Sequence, residues 1–159
     1  MTPSGAEEPI LVYGASSSAG QYIVQLLKLS GYSNIIATGS PNNHALLQKL
    51  GVRHVVNYRN ADVVKEILEK AGKQLTVAID IIAASATLDV VAQVLAPGGK
   101  LAVLLPVKEG DSVTNSVEQE MIVDIPDHVK EKFSKHEIIG VRTFNFLSVS
   151  MTESIIGLY

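Results

Sequence analysis

The stretch Ile10-Leu11-Val12-Tyr13-Gly14-Ala15-Ser16-Ser17-Ser18-Ala19-Gly20 decides the fold. Four apolar residues lead into a run of small ones, and a helix-periodic stretch from Gln21 to Leu29 follows at once. A strand, a tight glycine turn and a helix opening at that turn make a phosphate cradle. Small residues let the backbone approach a pyrophosphate, and the unpaired N–H groups of the first helical turn aim the positive end of the helix dipole at it. A dinucleotide is the ligand this arrangement suits, with Gly14, Ser16, Ser17, Ser18, Ala19 and Gly20 as its contacts. Gly20 also suits close packing of the helix against the first strand. A plain strand-to-helix turn is the competing reading.

Downstream of this unit, strand-like and helix-like runs alternate, the pattern of a parallel sheet with crossover helices. Helix A presents Ala19, Ile23, Leu26, Leu27 and Ser30 on one face, and Gly31 stands where a left-handed cap is wanted. Asn34 to Thr38 reads as strand two. The next helix starts at Asn42 or Asn43 and runs to Leu50, before Gly51. His54 to Asn57 is a short strand, and Asn60 caps a helix through Lys70, before Gly72. Val77 to Ile82 is nearly all apolar, as a strand covered on both faces should be. Ser85 caps a helix through Leu95, and Pro97-Gly98-Gly99 turns into the strand Lys100 to Leu105. Beyond Pro106 the alternation fades into a polar loop, with a short helix near Asp127 to Ser134. His136 to Phe144 is one more strand, and Thr152 to Tyr159 begins a helix on which the chain stops, as expected of a fragment.

These elements specify an α/β fold: a doubly wound parallel sheet (Rossmann fold) of order 3-2-1-4-5-6. The 159 residues suffice for one sizeable core and are too few for two ordinary domains. The expectation is a single domain over residues 10–159 after a flexible segment, 1–9. A net charge of −3 with no long single-sign run favours neither nucleic acid nor an anionic membrane. Cysteine is absent, so disulfides, thiolate nucleophiles and cysteine-ligated zinc are excluded. That composition is compatible with the cytoplasm. The polar N-terminus is no signal peptide, and no apolar run approaches the roughly 20 residues that span a bilayer.

Four segments taken together resemble one known family. They are Ile10 to Gly20, Ala37-Thr38-Gly39-Ser40-Pro41-Asn42-Asn43, Leu50-Gly51-Val52-Arg53-His54-Val55-Val56-Asn57-Tyr58, and Leu95-Ala96-Pro97-Gly98-Gly99-Lys100-Leu101. In this order they look like the coenzyme-binding domain of medium-chain dehydrogenases/reductases, nearest the zinc-independent quinone-reductase and fungal enoyl-reductase branch. The resemblance runs from Ile10 to Val107, with a weaker echo at His136 to Phe144. It implies NADP(H) as cofactor and hydride transfer to an activated double bond or a quinone. It also implies a catalytic domain that this chain lacks, so the isolated chain is expected to be inactive. Ser17 and Ser18 stand where that branch usually carries glycines, and their hydroxyls are expected to supply part of the phosphate binding.

Ser40 ends strand two, where NAD-preferring folds place a carboxylate for the ribose 2′-hydroxyl. A serine admits a 2′-phosphate instead, with Asn43, His44 and the family-matched Tyr58 around it and Arg59 nearby; Ser40 and Asn43 as mere helix caps is the alternative. Ile82, Ala83, Leu105 and Pro106 lie at strand ends on the carboxyl edge, and the resemblance faces them toward the nicotinamide and its ribose. Packing on neighbouring loops explains them equally. Asp80 reads as a structural carboxylate rather than a base. His44, His54, His128 and His136 show no metal-ligand spacing. The apolar strand Glu137 to Val141 should end the sheet, and the resemblance makes it a homodimer edge.

Two rivals remain at this level. The glycine loop also resembles that of short-chain dehydrogenases, but none of Tyr13, Tyr22, Tyr32 or Tyr58 precedes a lysine by four residues. The other rival is a non-catalytic, cofactor-sensing or dimerising module.

Overall fold

The computed structural model describes residues 5–104, 107 and 124–141. Six parallel strands form one sheet in the order β3-β2-β1-β4-β5-β6, the topology expected. The strands are β1 (Ile10–Tyr13), β2 (Ile35–Gly39), β3 (His54–Asn57), β4 (Leu75–Asp80), β5 (Leu95–Leu104) and β6 (Glu137–Val141). The helices are α1 (Ser18–Leu29), α2 (His44–Lys49), α3 (Val63–Ala71), α4 (Ser85–Val94) and α5 (Asp127–Lys132). β1 and β2 are buried along their whole length, and the unbroken apolar run of β1 reflects that burial.

Two apolar layers flank the sheet. Val12, Ala37 and Leu47 pack with Val24 of α1 on one side. On the other, Leu11, Tyr13 and Val56 pack with Ile67 of α3, Val91 of α4 and Phe133. Because side chains alternate along a strand, Leu11 and Val12 serve opposite layers.

Several local readings shift. α1 is rotated from the expected face: Gly20 and Val24 are buried, Ile23 and Leu27 pack beside them, and Leu26 is 61 % exposed. The cause is Gly20, whose missing side chain lets that side of the helix approach the backbone most closely. β4 starts and ends two residues earlier than Val77 to Ile82, so Ile82 belongs to a loop. Pro97-Gly98-Gly99 does not precede β5 but lies inside it. Leu95 pairs with Leu75 and Lys100 with Val77, so the extra residues form a bulge, and the Gly98 N–H donates to the Lys135 carbonyl at 2.7 Å. Ser85 is the first residue of α4 rather than its cap, which is Ala84. Asn60 stands one turn before α3 and accepts from the Asp62 N–H, while the helix is capped at Asp62.

Part of the lead-in before β1 contacts the rest of the fold. Ala6 is buried and its carbonyl accepts from the Ser33 N–H, while Glu8 pairs with Lys73. Gly31 and Gly51 close α1 and α2 in the left-handed conformation. In each case the following N–H reaches back to the helix, Tyr32 to Leu27 and Val52 to Leu47.

Candidate dinucleotide site

β1, β2 and β4 end side by side at the carboxyl edge of the sheet, and the chain reverses direction across the sheet between β1 and β4. That switch point opens a crevice in doubly wound folds. Gly14 leaves β1 with φ +82°. Its N–H donates to Thr38 Oγ1 at 2.9 Å, and the Ala15 N–H donates to the Thr38 carbonyl at 3.2 Å. Thr38 is fully buried, so a hydroxyl on β2 pins the cradle of β1. No reading of the glycine loop alone reveals this partner; the signal was a hydroxyl residue within an otherwise apolar strand.

Within the loop, the Ser17 hydroxyl makes two hydrogen bonds to its own chain. It donates to the Gly14 carbonyl at 2.9 Å and accepts from the Gly20 N–H at 3.1 Å. It is the N-cap of α1, and both its proton and its acceptor role are committed inside the chain. Ser18 is exposed at the first helical position. The N–H groups of Ser18 and Ala19 have no acceptor among the described residues. Gln21 steadies the turn by donating to the Ser16 carbonyl at 3.0 Å.

Gly20 is there for contact. A Cβ at this position would meet the Gly14 carbonyl oxygen and Ala15 Cα at 2.6 Å. Gly14 is needed for its positive φ and for room, since a Cβ there would lie 2.6 Å from Ile82 Cγ1. Ile82 is thus packed against Gly14, with Ala83, fully buried, directly after it. Leu105 and Pro106 lie outside the described residues.

At the end of β2, Ser40 and Asn43 do not act as side-chain caps. Asn43 Nδ2 donates to Ser40 Oγ at 3.1 Å, and His44 Nε2 lies 3.4 Å from the Gly39 carbonyl. From Gly39 to His44 no residue is acidic. Gly39 stands next to the cradle, since a Cβ on it would come within 3.9 Å of Ser16 Cβ. Tyr58 follows β3, partly exposed, and carries the Arg59 guanidinium 4.8 Å above its ring.

Burial pushes the Tyr13 phenol up to about 12, with the Asp80 charge and Tyr58 adding to it. Asp80 is itself pushed up by burial, against hydrogen bonds from Thr87, Ala83 and Ile82 that favour its ionised form. Among the described residues no group of three or more His, Cys, Asp or Glu side chains converges on a metal position. No helix among them is long and apolar enough to cross a membrane.

The family profile of zinc-binding dehydrogenases matches residues 19–121. The chain belongs to that family. Membership fits the medium-chain dehydrogenase/reductase resemblance and weighs against the short-chain rival suggested by the glycine loop alone. The trans-enoyl reductase TwmE of Talaromyces wortmannii is 42 % identical over 93 residues, 58 % of this chain and 25 % of that protein. A trans-enoyl reductase of Fusarium sp. is 30 % identical over 118 residues, 74 % of this chain and 33 % of its own length. The chain therefore spans about a third or less of the length of these curated relatives. Among solved structures, the CurK enoyl reductase superposes with a TM-score of 0.69 at 24 % identity, covering 99 % of this chain and 41 % of that one. At that identity the likeness shows the fold alone.

A nicotinamide dinucleotide is the cofactor of such a family, and the residues fit one. The loop is built of small residues, with glycines where a Cβ would meet the chain itself, and two N–H groups at the start of α1 have no acceptor among the described residues.

Proposed function

We propose that this chain is the NADP(H)-binding part of a zinc-independent reductase whose substrate is an activated carbon–carbon double bond, with quinones as the second acceptor class. The observation that carries the cofactor reading is the cradle between Gly14 and Gly20, opening beside a β2 end that holds Ser40 and Asn43 where a carboxylate would repel a 2′-phosphate. Arg59, stacked on Tyr58, offers a cation at the same carboxyl edge of the sheet. The trans-enoyl reductases among the relatives support the substrate class.

In this reading the Ser18 and Ala19 N–H groups bind the pyrophosphate, and Ser40, Asn43 and Tyr58 surround the 2′-phosphate. Ile82 and Ala83 flank the nicotinamide half. When bound, the nicotinamide supplies a hydride. This chain binds and orients the cofactor and excludes water from one side of it. Groups beyond the chain complete the reaction, so the isolated chain should bind NADPH without turning over enoyl thioesters or quinones. We further propose a cytoplasmic homodimer paired along β6, whose Ile139 and Val141 are exposed at the sheet edge.

Calorimetric titration tests the cofactor assignment. NADPH should bind more tightly than NADH, with micromolar or weaker affinity, and Ser40→Asp should reverse the order. Equal affinities before and after the substitution would reduce Ser40 to a turn residue, and no saturable binding into the millimolar range would end the reading.

A further inference from the structure

Asp80 occupies the centre of the sheet's carboxyl edge, paired with Tyr13 of β1 on one side and Val103 of β5 on the other. It is fully buried, and its carboxylate is turned to its own chain. Oδ1 accepts from the N–H groups of Ile82 at 2.9 Å and Ala83 at 3.0 Å, and Oδ2 accepts from the Thr87 hydroxyl at 2.6 Å. The Thr87 oxygen in turn accepts from the Ala84 N–H at 3.1 Å. Three consecutive backbone N–H groups, 82 to 84, are therefore anchored by one pair of side chains.

Inside this anchored turn sits the one non-glycine residue with a positive φ among those described, Ala83 at φ 53°. The left-handed region is costly for a residue with a Cβ and persists where its surroundings enforce it, and such strain gathers at functional sites. Here the strained residue follows Ile82, whose side chain occupies the space directly over Gly14. The turn after β4 and the phosphate cradle after β1 thus interlock at the switch point.

We propose that Asp80 and Thr87 are positioning residues for the dinucleotide: by holding Ala83 left-handed they fix Ile82 as the wall between the phosphate cradle and the nicotinamide half. The inference rests on the cofactor reading above and adds a role for residues that touch no cofactor. A carboxylate engaged by three donors and closed off from solvent is not available as a base. It is well placed to keep a turn from sampling other conformations, which would lower the fraction of chains able to bind.

Two ligands separate the two ideas, NADPH and adenosine 2′,5′-bisphosphate, which carries the adenosine half without the nicotinamide. Thr87→Val removes the hydroxyl that donates to Asp80 and accepts from the Ala84 N–H, and so releases the turn. In the folded variant NADPH affinity should fall about fivefold or more, with bisphosphate affinity unchanged, and Thr87→Ser should restore it. Ala83→Gly eases the left-handed φ, so added to Thr87→Val it should recover part of the NADPH affinity. If folded Thr87→Val keeps the wild-type NADPH affinity, or weakens both ligands equally, the positioning role is wrong while the cofactor assignment stands. If the wild type binds neither ligand, the cofactor assignment fails and takes this inference with it.

Discussion

Gly20→Ala adds a single methyl group, and the structure sets its cost. The new Cβ would lie 2.6 Å from the Gly14 carbonyl oxygen and Ala15 Cα and 2.7 Å from the Ala15 carbonyl carbon. All three are backbone atoms and cannot swing aside. Ordinary contact begins at 3.4 Å, so α1 must retreat by about 0.8 Å from the loop, the difference between 3.4 Å and 2.6 Å. Overpacking of this kind costs about 1–3 kcal/mol. The retreat also stretches the 3.1 Å bond from the Gly20 N–H to Ser17 Oγ, and losing such a cap costs about 1 kcal/mol. Alanine returns about 1 kcal/mol through its better helix propensity, leaving a net loss of about 1–3 kcal/mol. Urea denaturation should report that loss as a lower midpoint with an unchanged slope. Dinucleotide titration should show weaker binding, because the first-turn N–H groups move with the helix. A Gly20→Ala chain as stable as wild type, or binding NADPH as well, would refute the claim that contact rather than helix preference selects glycine here.

Thr38→Val keeps the shape of the side chain but orphans the Gly14 N–H; denaturation should register a loss of about 1–3 kcal/mol, and Thr38→Ser should recover most of it. Because the Tyr13 phenol is raised from 10.0 to about 12 in the folded chain, the stability it contributes is complete below pH 10 and lost as the pH rises toward 12. Tyr13→Phe should flatten that alkaline loss in denaturation curves taken between pH 9 and pH 12, and identical pH dependence in both proteins would contradict it. Ile139→Lys places a charge on the exposed edge strand and should convert a sedimenting dimer to monomer at tens of micromolar with little change in folding; a wild type already monomeric there would remove the proposed interface.

The strand order was legible in the amino-acid sequence because the signals that set it are local. Apolar runs such as Ile10 to Tyr13 announce strands buried on both faces, Gly31 and Gly51 mark helix ends whose left-handed geometry a Cβ resists, and their alternation admits few parallel topologies. The phosphate cradle was legible for the same reason, since Gly14 to Gly20 is one contiguous turn. What the sequence could not show depends on which residues meet across strands. That the Ser17 hydroxyl closes onto Gly14 and Gly20 as the cap of α1 is decided by the geometry of the folded turn. Leu26 satisfied the helical period, but the close approach at Gly20 rotated it to solvent. Thr38 stood out only as a hydroxyl in an apolar strand and Asp80 only as a structural carboxylate; that one secures Gly14 and the other a strained Ala83 appears only in the fold. Periodicity reports only which side of an element is apolar, whereas hydrogen-bond partners 24 residues apart and the depth to which a helix can settle are set when the sheet assembles.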